Sequence, residues 1–296
     1  MMIRYNTLLI SILSFCCFSL HAEKSMEQQI SEYIDGKDAR IGVAVIVDGA
    51  DTIAVNGTKD FPMLSVYKFP QAITVADYCT RNAIELSDII DILPSELSEN
   101  TWSPLRDKYG VTRLRLPVNE LLAYTLQQSD NNACDILFRL AGGPLAADSL
   151  MKSMGYPDIN VASTEDEMHR DTDLCYLNHS TPLEMSRLVD RFYRDLSHSS
   201  PECAEIARLM ESCSTGADRL AKPLAGRGVT IGHKTGTGDR NSQGRIIGVN
   251  DVGYIKIPGG RSYSISVFIA DSAYDIAGTS AIIADISEIV FSCLTE

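Results

Sequence analysis

One short stretch decides how this sequence is interpreted: Ser65-Val66-Tyr67-Lys68, followed by Phe69-Pro70-Gln71-Ala72-Ile73. A serine at the start of an apolar helical run, with a lysine three residues later, places a hydroxyl and an ammonium on one helix face. A lysine in that position can accept or relay the proton of a nucleophilic serine. A second Ser-x-x-Lys, Ser149 to Lys152, lies inside a helical pattern and is predicted to be a solvated helix face. A catalytic interpretation of Ser65 therefore needs support from other motifs.

Two such motifs lie at the boundaries of predicted elements: Ser129-Asp130-Asn131 between two helices, and Lys234-Thr235-Gly236-Thr237 after the strand Val229 to His233. The first offers a hydroxyl for proton transfer and an amide for a polar ligand, or it is only the N-cap of the next helix. The second offers a cation and a hydroxyl for a carboxylate, with a glycine for close backbone approach, or it is only a hairpin turn. Three motifs in this order are very improbable by chance.

Hydrophobic periodicity outward from these motifs indicates strands near both chain ends and helices between them. The predicted helices are 25–36, 66–80, 118–128, 131–141, 144–153, 182–196, 202–212 and 276–293, and the predicted strands are 40–47, 52–55, 229–233, 245–257 and 262–270. The polar stretch 156–181 has no clear period and is predicted to be a functional loop, because structureless segments of that length are uncommon in compact domains. The pattern predicts a sheet domain made from both termini, with a helical domain inserted.

The composition is that of an ordinary globular chain. Its 296 residues are 45% hydrophobic and 22% charged, which excludes a collagenous or wholly disordered protein and allows one large domain or two closely packed ones. The formal net charge of −13 disfavours nucleic-acid binding and docking on an anionic membrane. Five histidines without a His-x-His pair disfavour a metallo-hydrolase, so no metal site is predicted.

The N-terminus has the pattern of a secretory signal. Arg4 is followed by the apolar run Thr7 to Leu20 and by Ala22, so cleavage after residue 22 and a periplasmic or secreted protein are expected, without a lipid anchor. Removal of this segment would leave six cysteines, Cys79, Cys134, Cys175, Cys203, Cys213 and Cys293. An oxidising compartment permits disulfides among them, but a domain of this size does not require any.

The three motifs, in this order and with the polar loop between the second and third, resemble those of the class A serine β-lactamases. The resemblance implies an α+β fold of the β-lactamase/transpeptidase type, in which an antiparallel sheet with flanking helices lies beside an all-helical domain. In this chain the α/β domain would comprise residues 23–62 and 214–296, and the all-α domain residues 63–213, including the loop 156–181. A catalytic cleft would lie between the two.

The resemblance also implies the catalytic roles. Ser65 would attack the β-lactam carbonyl and form an acyl-enzyme, Lys68 would manage its proton, and Ser129 would pass a proton to the departing nitrogen. The backbone N–H groups of Ser65 and Thr237 would form the oxyanion hole.

Other residues would bind the substrate. Asn131 would hold a side-chain amide of the substrate, and its carboxylate would be bound by Lys234, Thr235 and Thr237, with Gly236 allowing close approach. Trp102 is interpreted either as an aromatic wall of the cleft or as a core residue. Extra positive charge for the carboxylate has three candidates, between which the sequence does not choose: Arg219, Arg240 and Arg245.

The polar loop departs from the family pattern. Where that pattern is Glu-x-x-Leu-Asn, this sequence has Glu165-Asp166-Glu167-Met168-His169. Glu165 is predicted to be the deacylating base, with Asp166 and Glu167 as rivals should the loop register differ. His169 replaces an asparagine expected to hold the hydrolytic water, or it is a surface histidine. The departure resembles the divergent branch in which cephalosporinases and extended-spectrum enzymes are common.

The predicted function is hydrolysis of β-lactams, cephalosporins included, by a monomer that needs no cofactor, binds no nucleic acid and forms no stable membrane association. Two alternatives stay open. A penicillin-binding DD-peptidase would use the same serine chemistry on peptidoglycan stem peptides, although the acidic loop disfavours it. A non-catalytic exported binding protein on the same fold is disfavoured by intact Ser65, Lys68, Ser129 and Lys234.

Overall fold

The structure is a computed structural model that describes residues 24–295, so the predicted signal segment 1–22 lies outside the described residues. The helices of this part are α1 (Met26–Ile34), α2 (Lys68–Asn82), α3 (Pro104–Tyr109), α4 (Val118–Gln127), α5 (Asn131–Ala141), α6 (Gly143–Ser153), α7 (Glu165–Arg170), α8 (Pro182–Arg194), α9 (Pro201–Glu211) and α10 (Ile276–Thr295). Its strands are β1 (Arg40–Val47), β2 (Asp51–Val55), β3 (Phe61–Pro62), β4 (Ile89–Ile92), β5 (Leu114–Pro117), β6 (Ile159–Asn160), β7 (His179–Ser180), β8 (Thr230–Thr237), β9 (Ile246–Lys256) and β10 (Ser262–Ser272).

Five strands form the central sheet, in the order β2-β1-β10-β9-β8. Every neighbouring pair is antiparallel, and the two chain ends meet where Val43 of β1 pairs with Val267 of β10. The predicted α+β fold, with a sheet made from both ends of the chain, is confirmed. Because β8 is an edge strand, alternate backbone groups along it have no partner strand. This edge faces the inserted helices and carries the third motif.

Apolar side chains cover both faces of the sheet. On one face α1 and α10 pack against it through Ile30, Ile283, Ile286 and Val290, all of them fully buried. On the other face lie α8 and the inserted helices, and an edge-to-face contact between Phe69 of α2 and Phe192 of α8, with ring centroids 5.1 Å apart, joins them. The sheet thus supports α2, whose start carries Ser65 and Lys68.

Helix α10 is long and apolar enough to cross a membrane by length and composition alone. It has 20 residues with a mean hydropathy of 1.5, and half of it is buried inside the structure. Since its isoleucines belong to the core beneath the sheet, the apolar run is also what packing against a sheet face requires.

The structure corrects several predicted boundaries. Strand β8 continues through Thr237, so the Lys-Thr-Gly motif lies inside an edge strand and forms no hairpin turn. The loop 156–181 contains the helix α7 and the short strands β6 and β7. Other elements too short to show a period were not predicted: α3, β3, β4 and β5. Ser149 and Lys152 are exposed, as their solvated-face interpretation required.

A buried amide holds the loop in place. Asn178 accepts hydrogen bonds through Oδ1 from the backbone N–H groups of Ala162 (2.7 Å) and Ser163 (2.9 Å), and its Nδ2 donates to the Ser163 carbonyl. Its own carbonyl accepts from the Met63 N–H at 2.7 Å, two residues before Ser65. Both ends of the loop are thereby tied to the segment that carries the serine.

Candidate active site

Ser65 lies on a 3₁₀ turn, Leu64–Tyr67, that leads directly into α2. The preceding residue, Leu64, has a left-handed backbone with φ of 48°. A non-glycine residue in that region costs on the order of 1–3 kcal/mol, which the surrounding structure has to offset. The strained turn leaves the Ser65 hydroxyl partly exposed, and its Oγ donates to Glu165 Oε1 over 3.4 Å.

Lys68 is fully buried, and its ammonium has three acceptors. Its Nζ donates to the Ser129 carbonyl at 2.8 Å and to Asn131 Oδ1 at 2.6 Å. The same Nζ is 3.0 Å from Glu165 Oε1. An ammonium has three donors, so these contacts satisfy it completely without water. Lys68 therefore joins the second motif, through Ser129 and Asn131, to Glu165 of α7.

Ser129 and Lys234 complete the connection to the sheet. Ser129 has a left-handed backbone, with φ of 59°, and its Oγ accepts from Lys234 Nζ at 2.9 Å. The next residue, Asp130, is the N-cap of α5 and accepts from the Ala133 N–H at 2.8 Å. The Ser-Asp-Asn motif is thus a helix cap and also part of the site.

Lys234 is fully buried, and its Nζ donates to the Thr235 carbonyl at 2.8 Å as well as to Ser129. Burial lowers its pKa to about 7, with a further contribution from the charge of Lys68. Near neutral pH the Lys234 ammonium consequently loses its proton easily, because its low-dielectric surroundings disfavour the charge.

The loop presents three neighbouring carboxylates, but only one reaches the serine. Glu165 contacts both Ser65 and Lys68. Asp166 forms an ion pair with Arg170 on the outer side of α7. Glu167 accepts from the Thr164 N–H at 2.9 Å and closes the capping box of the same helix. The two rivals are therefore engaged in holding α7 in shape.

Asp135, a residue that the sequence analysis missed, holds the start of α7. Its two carboxylate oxygens accept from the backbone N–H groups of Glu165 and Asp166, each at 2.9 Å. Burial raises the pKa of Asp135 to about 7, although the hydrogen bond from Glu165 opposes the rise. Asp135 follows Asn131 by four residues on α5, and this helical spacing was the available signal.

The edge strand brings its backbone close to the nucleophile. A Cβ at Gly236 would lie 2.5 Å from the Met63 carbonyl and 3.2 Å from the Ser65 nitrogen, so only glycine fits. The Gly238 N–H donates to the Gly248 carbonyl across to β9. Since N–H groups alternate sides along an antiparallel strand, the N–H of Thr237 points away from β9. This N–H group therefore lies at the open edge of the sheet, on the side of Ser65.

Arg219 is the arginine that the structure selects among the three candidates. It is buried, lines the cleft, and donates through Nη1 to the Gly236 carbonyl at 3.0 Å and through Nη2 to Thr237 Oγ1 at 2.6 Å. Arg240 is exposed, and Arg245 pairs with Asp38.

A cleft of about 800 Å³ contains these groups. Trp102 lines it with 61% of its surface exposed, which rules out core packing, and its Nε1 donates to the Gln128 carbonyl at 2.9 Å. His169 is exposed and lines the cleft from the α7 side, while Met168 is buried. The amide of Asn131 is already engaged, since its Nδ2 donates to Thr101 Oγ1 at 2.8 Å and its Oδ1 accepts from Lys68.

Side chains suited to bind a metal do not gather in this cleft. Between residues 24 and 295 no group of three or more His, Cys, Asp or Glu side chains has the geometry to hold a metal ion. The arrangement instead offers two hydroxyls, a carboxylate and two buried ammoniums that are joined by successive contacts from Ser65 through Glu165, Lys68 and Ser129 to Lys234. Such a set is suited to nucleophilic catalysis with general acid and base assistance.

Comparison with known proteins agrees with this chemistry. A family model described as the Beta-lactamase enzyme family matches residues 25–294. A "Beta-lactamase" of Bacteroides uniformis is 36% identical over 270 residues, which is 91% of each chain. The "Extended-spectrum beta-lactamase PER-1" of Pseudomonas aeruginosa is 32% identical over 282 residues, 95% of this chain and 91% of that one.

The fold leads to the same group. The crystal structure of a class A β-lactamase from Bacteroides cellulosilyticus superposes with a TM-score of 0.86 and 39% identity, over 91% of this chain and 96% of that one. Both the sequence match and the fold match therefore extend over nearly all the described residues. We conclude that this chain belongs to the class A serine β-lactamases, enzymes that hydrolyse β-lactams.

Proposed function

We propose that this chain hydrolyses β-lactams, cephalosporins among them, through an acyl-enzyme on Ser65. The observation that carries the mechanism is the contact of one carboxylate, Glu165, with both the Ser65 hydroxyl and the Lys68 ammonium, over 3.4 Å and 3.0 Å. A nucleophile needs an adjacent group that accepts its proton, and the Glu165 carboxylate is within reach of the Ser65 hydroxyl.

Acylation would begin with attack of Ser65 Oγ on the β-lactam carbonyl, while its proton passes to the Lys68 and Glu165 pair. The carbonyl oxygen becomes an oxyanion, for which the N–H groups of Ser65 and Thr237 are the proposed donors. The close approach of the Gly236 backbone to Ser65 supports this pairing. Donors held in place in this way need no reorganisation as the charge develops.

The ring nitrogen leaves when it gains a proton, and Ser129 is the proposed donor. Its hydroxyl accepts from Lys234 at 2.9 Å, so its own proton is free to point elsewhere. Lys234 can then restore that proton. Deacylation would follow when Glu165 takes a proton from water and the hydroxide attacks the ester.

Substrate binding is assigned to the walls of the cleft. The carboxylate of the β-lactam would lie against Lys234, Thr235 and Thr237, with charge from Arg219. Asn131 would reach a substrate amide, while Trp102 and His169 would flank the side chain. The name of the extended-spectrum relative and the cleft of about 800 Å³ support cephalosporins with large side chains as substrates.

The proposal extends to the organisation of the whole protein. Export directed by residues 1–22 would bring the enzyme to the periplasm or the exterior, where its substrates arrive. The α/β domain, 23–62 and 214–296, and the all-α domain, 63–213, would fold around the cleft as one monomer.

A direct comparison of substrates tests the proposed function. Purified protein is expected to hydrolyse a chromogenic cephalosporin and a penicillin with many turnovers per molecule, and to release no D-alanine from a stem-peptide analogue. A penicilloyl adduct that persists, together with D-alanine release, would instead establish a DD-peptidase. Failure to acquire any acyl adduct would contradict an enzymatic function altogether.

The pKa of Lys234 predicts a pH dependence. Raising the pH from 6 to 8 is expected to lower kcat/KM for an anionic cephalosporin by about tenfold, because the ammonium that binds the carboxylate is lost above its pKa of about 7. Initial rates at low substrate concentration measure this. A Lys234→Arg variant should show a flatter profile, since a guanidinium stays charged. An equally steep fall in that variant would assign the titration to another group.

A further inference from the structure

Three interacting side chains lie outside the catalytic cluster, and we call them the thiol cluster: Cys213, His233 and Asp251. The Nδ1 atom of His233 lies 2.9 Å and 3.1 Å from the two carboxylate oxygens of Asp251. The His233 side chain also interacts with the Cys213 thiol. Nucleophile, base and orienting carboxylate thus follow in the order that activates a nucleophile.

The thiol cluster lies on the opposite face of β8 from Lys234, because side chains alternate along a strand. His233 and Asp251 are buried, whereas Cys213 is partly exposed between two exposed serines, Ser212 and Ser214. Cys213 is therefore the member of the cluster that borders solvent.

Charge around the sulfur favours its ionised form. Burial alone would raise the pKa of Cys213, but the hydrogen bond and positive charge of His233 outweigh it and bring the value down to about 7. Burial lowers the pKa of His233, but Asp251 and, after it, Cys213 itself outweigh burial and raise the value to about 10. The other ionisable side chains that interact with the sulfur are Lys234 on β8, Tyr193 on α8 and Arg219 after α9, with Glu211 of α9 beside Tyr193.

Three other cysteines of the described chain lie where burial disfavours the thiolate. Burial raises the pKa of Cys79 to about 11 and of Cys175 to about 12, and it raises that of Cys134 well above its usual value. Cys203 is partly exposed on α9 and serves as the matched comparison. The structure has no disulfide among these four cysteines and Cys213, which are all free thiols.

A short chain of contacts links the sulfur to the catalytic cleft. Cys213 Sγ lies 3.4 Å from Thr215 Oγ1, which is 2.6 Å from Thr235 Oγ1 of the third motif. Packing beside Thr215 is tight, since a Cβ on Gly216 would meet the Thr235 methyl at 2.4 Å. A group added to the sulfur would therefore displace Thr215, and with it the hydroxyl proposed to bind the substrate carboxylate.

We propose that Cys213 is a modification site at which low-molecular-weight disulfides form a mixed disulfide that slows β-lactam hydrolysis. The Cys213 thiolate attacks one sulfur of the reagent and forms a new S–S bond. The reagent's own S–S bond breaks, and its electron pair leaves with the second sulfur as a thiolate, which takes a proton from water. The exchange needs no further oxidant, and an added dithiol reverses it.

Labelling of the intact, folded chain tests the proposal without reference to its β-lactam chemistry. The probe is dithionitrobenzoate, an aromatic disulfide that releases a coloured thiolate. One equivalent is expected to react about fivefold faster at pH 6.5 than a reference thiol peptide, because more of the Cys213 sulfur is ionised. Peptide mapping should place the label on Cys213, the fast phase should be absent from Cys213→Ser, and Cys203→Ser should retain it.

Two further measurements separate an activated thiol from a merely accessible one. In a folded His233→Asn variant, checked by its thermal melting, the fast phase should slow to the rate of the reference peptide. Labelled protein should lose about tenfold in kcat/KM for a chromogenic cephalosporin and regain it with dithiothreitol, because displacement of a binding group by about 1 Å is costly. The Cys213→Ser protein should be insensitive to the reagent.

The outcomes are distinct. A fast phase that persists in Cys213→Ser, or that appears only after denaturation, would overturn the modification site. Labelled Cys213 with unchanged kcat/KM would overturn its link to the cleft. The effect on hydrolysis rests on the proposed function, but the labelling does not, so an inactive protein with a fast-reacting Cys213 would reject the function and keep the site.

Discussion

Replacing Ser65 with alanine is expected to lower kcat for a chromogenic cephalosporin by at least about 10⁴-fold, because loss of a serine nucleophile removes the covalent route and leaves only binding and oxyanion stabilisation. The side chain lies on a strained turn and is only partly exposed, so deleting one oxygen should leave the fold intact. Steady-state hydrolysis followed by absorbance measures the loss, and mass spectrometry should find no covalent adduct.

The chain provides its own control for this experiment. Ser149 belongs to the second Ser-x-x-Lys, on the exposed face of α6, where Lys152 forms an ion pair with Asp148. Ser149→Ala should hydrolyse the cephalosporin at the native rate. Retention of more than a small fraction of activity in the Ser65 variant would show that another group is the nucleophile.

Replacing Glu165 with glutamine is expected to separate the two halves of the reaction. Acylation should still occur, since Lys68 stays one helical turn after Ser65, where the Ser129 carbonyl and Asn131 hold its ammonium. Deacylation should slow by about 10³-fold, because the amide cannot take a proton from water and general-base assistance is lost. The acyl-enzyme should then accumulate as a persistent mass increase equal to that of the β-lactam.

The neighbouring carboxylates supply the matched variants. Asp166→Asn and Glu167→Gln remove charge from the same helix, yet those side chains contact Arg170 and Thr164 rather than Ser65. Neither variant should accumulate the acyl-enzyme. If Asp166→Asn stalls while Glu165→Gln turns over at the native rate, the base is Asp166 and the contact of Glu165 with Ser65 is not catalytic.

Much of the architecture was predictable because local patterns report local structure. The apolar runs of β1 and β9 reflect strands that are buried on both faces, and the helical period of α4, α5 and α8 reflects one buried face each, so strands at both ends around a helical middle followed from local sequence. Elements of two to six residues, such as β6, β7 and α7, are stabilised by tertiary partners such as Asn178. They have too few residues to show a period, and the loop 156–181 was consequently predicted without structure.

The residues of the candidate site were likewise predictable from the sequence only in part. The sequence by itself determined the three motifs and the family that they resemble, since each motif lies within four consecutive residues at an element boundary. Only the tertiary structure decided which loop carboxylate meets Ser65 across 100 residues of chain, which arginine enters the cleft, and that Asp135 holds α7. These choices depend on distances between side chains far apart in sequence, and such distances exist only once the sheet and the helices have packed together.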